Sequence, residues 1–164
     1  MQLRAAIPHD FAAILALNAE SVAVLSPLDA AGLAALHARA DAHWVVERDG
    51  AVVAFLLALR EGADYASPNY RWFAARHARF LYVDRVVVAR ALQGAGAGTL
   101  LYRRLFAHAA ETDAERVVCE YDVEPPNPQS QAFHARFGFR EVGQQRVAGG
   151  KKRVSLQAAE LRAR

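Results

Sequence analysis

Arg90-Ala-Leu-Gln-Gly-Ala-Gly-Ala-Gly-Thr-Leu-Leu101 is the stretch on which the reading of this chain turns. Gly94, Gly96 and Gly98 alternate with alanines, at a cost in backbone entropy that suits a sharp bend or a close approach to a ligand. Upstream, Phe80-Leu-Tyr-Val-Asp-Arg-Val-Val-Val88 is the strongest strand pattern in the sequence, and Ala97 to Thr112 downstream is an amphipathic helix. A helix start offers unpaired N–H groups and the positive end of the helix dipole, so the junction suits a phosphate. A triphosphate P-loop needs a lysine after its last glycine, and none lies here. A dinucleotide fingerprint needs glycine where Thr99 stands, and a hairpin precedes this strand instead of a strand-helix unit. What remains is Gln93-x-x-Gly96-x-Gly98, a pattern able to hold a diphosphate without lysine. A tight turn at a helix start is the plainer alternative.

Working outward, Gln2 to Ala6 is a short strand. A helix over Phe11 to about Glu20 follows, with Asp10 as its N-cap, and a second runs from about Ala30 to Ala40, capped by Asp29. His43 to Arg48, Asp49-Gly50 and Ala51 to Leu59 form a hairpin with a two-residue turn. Arg60 to Arg79 is a long aromatic-rich loop, a length that suits a lid or specificity wall. Arg116 to Val123 is a strand, Ser130 to Phe137 a short helix ended by Gly138, and Phe139 to Val147 and Arg153 to Leu161 two closing strands. The pattern predicts a single mixed α/β domain over residues 1–164.

At 164 residues, with 54% hydrophobic and 23% charged, the chain can bury its own core and is not disordered. No apolar run approaches the ~20 residues of a membrane span, and Met1 to Pro8 does not make a secretory signal. Cys119 is the only cysteine, so no internal disulfide forms and a cytoplasmic setting is expected. A net charge of +3 favours an anionic ligand but is too small for a nucleic-acid interface. Lys151-Lys152-Arg153 after Gly149-Gly150 is read as a solvated hairpin turn in preference to a binding patch. The histidines at 9, 37, 43, 77, 108 and 134 show no ligand spacing, so no metal is expected.

About thirty residues beyond the glycines comes Asn127-x-x-Ser130-x-x-Phe133-His134-x-x-x-Gly138-Phe139. Together with Val88-x-x-x-x-Gln93-x-x-Gly96-x-Gly98, this resembles the GNAT-family N-acetyltransferases, which carry acetyl-coenzyme A. The two motifs cover roughly a third of the chain and match except at His134, where tyrosine is usual. The resemblance implies a mostly antiparallel mixed sheet, splayed between the two motif strands, with helices on both faces. Pantetheine would lie in the split, paired with backbone of Val86 and Val88 and flanked by Asn127 and Phe133. Gln93, Gly94, Gly96, Gly98 and Thr99 would cradle the diphosphate, and Arg90 or Arg103 could meet the 3′-phosphate.

The implied reaction is direct acetyl transfer to an amine, which needs a base for the ammonium and a proton for the departing thiolate. Strand alternation places Tyr82, Asp84, Val86 and Val88 on one face, making Asp84 the candidate base, with an arginine ion pair as its alternative. His134, with an ordinary pKa of ~6.5, is the candidate proton donor to a thiol of ~8.5, the alternative being a neutral histidine bonded to a backbone carbonyl. Tyr121 is the substitute acid. Cys119 is expected to be a buried, inert thiol.

In such enzymes the first two helices, the mid-chain loop and the last hairpin recognise the acceptor. Here those supply Asn18, Glu20 and Ser21, then Tyr65, Ser67, Asn69, Tyr70, Arg71 and Trp72. The aromatics with Arg71 could enclose a small carboxylate-bearing molecule or could be a packed cluster. A small-molecule amine is the preferred acceptor; a protein N-terminus or lysine, a non-catalytic acyl-CoA sensor and a degenerate interaction module are the competing readings. The oligomeric state is open, and a homodimer is compatible with the sequence.

Overall fold

The computed structural model of the chain describes residues 1–22 and 25–162. Among the described residues seven strands form one sheet in the order β1-β2-β3-β4-β5-β7-β6. They are β1 (Gln2–Ala5), β2 (Ala42–Arg48), β3 (Ala51–Arg60), β4 (Phe80–Val88), β5 (Arg116–Glu124), β6 (Arg140–Val147) and β7 (Lys152–Glu160). The helices are α1 (Phe11–Glu20), α2 (Ala30–Arg39), α3 (Pro68–Ala74), α4 (Ala97–Glu111) and α5 (Pro128–Arg136). The chain divides into two compact units, Met1–Leu59 with Val83–His108, and Arg60–Tyr82 with Ala109–Arg164.

In the first unit β1, β2 and β3 pair antiparallel. Asp49 and Gly50 both take positive φ, 52° and 78°, the backbone that matches a two-residue turn to the twist of its strands. Almost the whole of β3 is buried, and Val45, Phe55 and Leu57 of the strands, Ile14 of α1 and Leu33 of α2 are all fully buried in the apolar interior. Asp29 caps α2 as its position suggests, accepting from Gly32 N at 2.7 Å. Asp10 does not cap α1. Its carboxylate accepts from Ile7 N at 2.9 Å and from Arg4 at 2.7 and 2.8 Å, so it closes a 3-10 turn over Pro8–Asp10 and ties it to β1. The Arg4 guanidinium holds that carboxyl below its ordinary range.

The second unit holds the parallel pair: Phe80, Leu81 and Tyr82 of β4 stand opposite Arg116, Val117 and Val118 of β5. β7 lies antiparallel between β5 and β6. The expected loop from Arg60 to Arg79 contains α3, started by Pro68 with the Ser67 hydroxyl accepting from Tyr70 N at 3.4 Å. A helix was hidden there because its seven residues are too few to show a period. α5 begins at Pro128, earlier than the expected Ser130, since Asn127 is its cap. Strand alternation separates the two helices. Tyr121 meets His134 of α5 at 5.9 Å between rings, while its neighbour Glu120 bonds Tyr82, which packs on Tyr70 and Phe73 of α3. Trp72 of α3 covers Gly143 of β6 so closely that a Cβ there would lie 2.5 Å from Cζ2, and only glycine fits.

His37 of α2 and His43 of β2 lie Nδ1 to Nδ1 at 2.8 Å, with Phe11 edge-on to His37. Burial, helped by His37, lowers the His43 pKa to about 4, and its Nε2 is buried without a hydrogen-bond partner. The unfolded chain therefore binds one more proton than the folded one between the ordinary histidine value and about 4. Stability from a neutral His43 is complete above pH ~6.5 and is lost as pH falls toward the folded value. Urea unfolding across this range should show a decline steeper than that of His43→Phe by up to ~1.4 kcal/mol per pH unit. Parallel pH profiles for the two proteins would contradict it.

Candidate active site

β4 delivers the chain to the glycine stretch through a 3-10 turn over Arg90–Leu92. Gly94 and Gly96 have φ of 84° and 99°, a region that side-chain-bearing residues rarely enter, and nothing lies within 4 Å of a Cβ built on either. Gln93, Gly94, Ala95 and Gly96 are exposed, and Ala97, Gly98 and Thr99 form the first turn of α4, whose N–H groups have no acceptor within the helix. Positive φ, open space and a helix N-terminus meet at one bend, and these residues fit a diphosphate. Of the two arginines named for a further phosphate, Arg90 donates to the Glu20 carbonyl at 2.8 Å, while Arg103 is exposed on α4.

On β4, Val86 and Val88 are half-buried. Asp84 is not held as a poised base. Its Oδ2 accepts from Arg85 Nε at 2.7 Å, and both side chains are 5% exposed. Arg85 also donates to Asn18 Oδ1 at 2.9 Å and to the Ser26 carbonyl and hydroxyl at 3.4 and 3.3 Å. Asn18 Nδ2 donates to the same Ser26 carbonyl at 3.2 Å, so its amide is committed to this network and is not presented to an acceptor. One buried cation thus fastens β4 to α1 and to the segment before α2.

In the second unit, Asn127 Oδ1 accepts from Ser130 N at 3.3 Å as the cap of α5, and Phe133 is half-buried. His134 is 4% exposed, with Nδ1 2.7 Å from the Ser130 carbonyl oxygen, so Nδ1–H donates to it and the neutral ring keeps an acceptor at Nε2. Burial pulls its pKa below the ordinary value. This is the carbonyl-bonded, neutral histidine of the two alternatives. Tyr121 is half-buried, and burial raises its pKa, so the phenol keeps its proton. Cys119 is 2% exposed with its pKa pushed well up by burial, an inert thiol.

The aromatic segment forms a packed cluster. Tyr70 is 3% exposed; its hydroxyl donates to the Arg60 carbonyl at 2.6 Å and accepts from Ala63 N at 3.0 Å. Tyr65 meets it edge-on at 5.7 Å, Trp72 lies against Phe73 and carries Arg76 over its ring at 3.8 Å, and Arg71 is exposed. On the side of β5 that faces this cluster, away from Tyr121, stand two carboxylates absent from the sequence reading. Tyr82 Oη donates to both oxygens of Glu120 at 2.9 Å, and Asp122, 8% exposed, has Lys152 Nζ at 3.4 Å. The signal was there in the alternation Val118, Glu120, Asp122, which puts two acids on one face of an interior strand.

Residues 13–139, well over half of the chain, match the acetyltransferase (GNAT) family. The chain belongs to that family. A phosphinothricin N-acetyltransferase of Streptomyces coelicolor is 44% identical over 66 residues, which span 40% of this chain and 37% of that relative. The fold is shared with yncA of Salmonella typhimurium, solved with its cofactor acetyl-CoA, at a TM-score of 0.76 and 22% identity over 100% of this chain and 95% of that one. It is shared too with the ribosomal-protein-S18-alanine N-acetyltransferase of Escherichia coli, at 0.75 and 13% identity over 99% and 95%. Among the described residues no helix is long and apolar enough to cross a membrane.

Within this family member the Arg85 network is a structural requirement of the first unit, because removing the cation leaves the Asp84 charge buried without its guanidinium. Arg85→Met should lower the unfolding free energy by ~3–5 kcal/mol, and Arg85→Lys should recover part of it. Chemical denaturation checks this; a loss within ~0.5 kcal/mol, the range of an ordinary surface change, would contradict it.

Proposed function

We propose that this acetyltransferase moves the acetyl group of acetyl-CoA directly to the amine of a small molecule. The glycine turn carries the cofactor half of the reading: Gly94 and Gly96 open a bend at which Gln93, Gly98 and Thr99 can also receive the diphosphate. Backbone of Val86 and Val88 then pairs with pantetheine, and Arg103 is available to the 3′-phosphate. The acceptor half rests on the phosphinothricin N-acetyltransferase relative, whose substrate is a small molecule.

Bound acetyl-CoA supplies a thioester acetyl and a thiolate leaving group. The attacking amine must be neutral, so a carboxylate has to take a proton from the ammonium. Glu120 is our choice for that base, since Tyr82 fixes its carboxylate, whereas Asp84 is held by Arg85. Tyr121 is our choice for the proton donor. Its pKa is raised, while His134 has a lowered one and its Nδ1–H is engaged by Ser130. His134 then serves to seat α5 against Tyr121.

Steady-state acetyl transfer by Tyr121→Phe and His134→Asn tests these roles, asparagine retaining a donor for the Ser130 carbonyl. Loss of the acid should lower kcat by ~10²-fold or more in Tyr121→Phe. His134→Asn should keep the alkaline limb of the wild-type pH profile, because burial moves the histidine's titration to the acid side of its ordinary value. A His134→Asn protein that loses an alkaline limb would return the proton donor to His134.

A further inference from the structure

We propose that the Glu120 and Asp122 face of β5, with Lys152 of β7, is the acceptor subsite, and that it selects amines which also carry an anionic group. This deepens the small-molecule reading and rests on it. The Tyr82 contact shows which face Glu120 occupies, and Asp122, two residues on, shares it about 7 Å away. An interior strand that places two acids on one face sets charge against a sheet that otherwise buries Val118, Val154 and Leu156.

Asp122 is the telling residue. It is 8% exposed, and neither carboxylate oxygen accepts a hydrogen bond from a described residue; Oδ2 is wholly buried. A buried carboxylate ordinarily accepts several donors. Its one charged neighbour, Lys152 Nζ, stands 3.4 Å from Oδ2 without making a hydrogen bond, and that side chain is 30% exposed. Donors are missing on the acid side, and a cation faces solvent beside it. An ammonium satisfies the first, shared between Asp122 and the base Glu120, and a carboxylate or phosphinate satisfies the second.

The neighbouring groups suit the same ligand. Gln145 Nε2 donates to Asn69 Oδ1 at 2.7 Å, which leaves Asn69 Nδ2 without a described partner as a further donor toward an anion. Gln145 stands opposite Val154, which in turn stands opposite Asp122, so the amide pair lies in the same row across the sheet. Of the other hairpin cations, Arg146 and Arg153 approach Glu124 at 3.7 and 3.5 Å, and Lys151 is exposed in the turn itself. Lys152 is therefore the position that reads the acceptor's anion.

The test is thiol release from acetyl-CoA with α-amino acids, phosphinothricin among them, each paired with its α-carboxamide, for wild type, Lys152→Met and Lys152→Arg. Acetyl-CoA affinity by calorimetry confirms that each variant is folded. Wild type should prefer the acid over the amide by at least ~10-fold in kcat/KM, the worth of one charge-assisted bond. That ratio should fall to within about 2-fold in Lys152→Met through KM, and Lys152→Arg should restore much of it, by the same bond arithmetic. Amines acetylated without such a preference, or a preference that survives Lys152→Met, would overturn the subsite and leave the transferase reading standing. Failure of every amine to elicit thiol release, despite acetyl-CoA binding, would overturn the transferase reading itself.

Discussion

A strand that stops at Val88 and a helix that starts at Ala97 leave few residues in which to turn the backbone and aim it. Gly94 and Gly96 meet that constraint by taking positive φ, where a side chain would cost strain. The bend leads into the first turn of α4, whose amides have no acceptor within the helix and are the groups an anionic cofactor needs. Everything proposed for the chemistry presupposes this turn. A thioester that is not anchored by its diphosphate cannot be presented to any base or acid.

Around that anchor, the polar groups that the fold buries fall into two kinds. Arg85 is satisfied on every side, by Asp84, Asn18 and Ser26, and such a network holds elements in place. Asp122 is buried without a donor, a state that favours a ligand over a scaffold. The distinction reassigns residues that look equivalent in sequence. Asn18 and Tyr70 have the composition of a recognition site, yet each has spent its polar atoms inside the protein.

Much of the fold was legible in the sequence because its signals are local. The Asp49-Gly50 turn, the Asp29 cap and the glycine-rich helix start are each set by a few residues with special backbone needs. α3 was missed because seven residues beginning with proline show no period, and Asp10 was misassigned because a cap cannot be told from an ion pair without its partner Arg4 in view. The site was less legible for the same reason. Asp84 beside Arg85 could be base or ion pair in sequence, and the 2.7 Å contact shows only that the ion pair is made. Glu120 and Asp122 stood in plain alternation, but their meaning depends on Tyr82, which is distant in sequence, and on a missing donor.

The central claim, that the Gly94–Gly96 bend receives the diphosphate of acetyl-CoA, is tested most directly by calorimetric titration of acetyl-CoA into wild type and Gly96→Val. A β-branched side chain at φ 99° would force the bend to a different path and withdraw its amides. The expected result is saturable binding by wild type and affinity at least ~100-fold weaker in the variant, about the worth of two hydrogen bonds to a charged group. Equal affinity in two equally folded proteins would contradict the account.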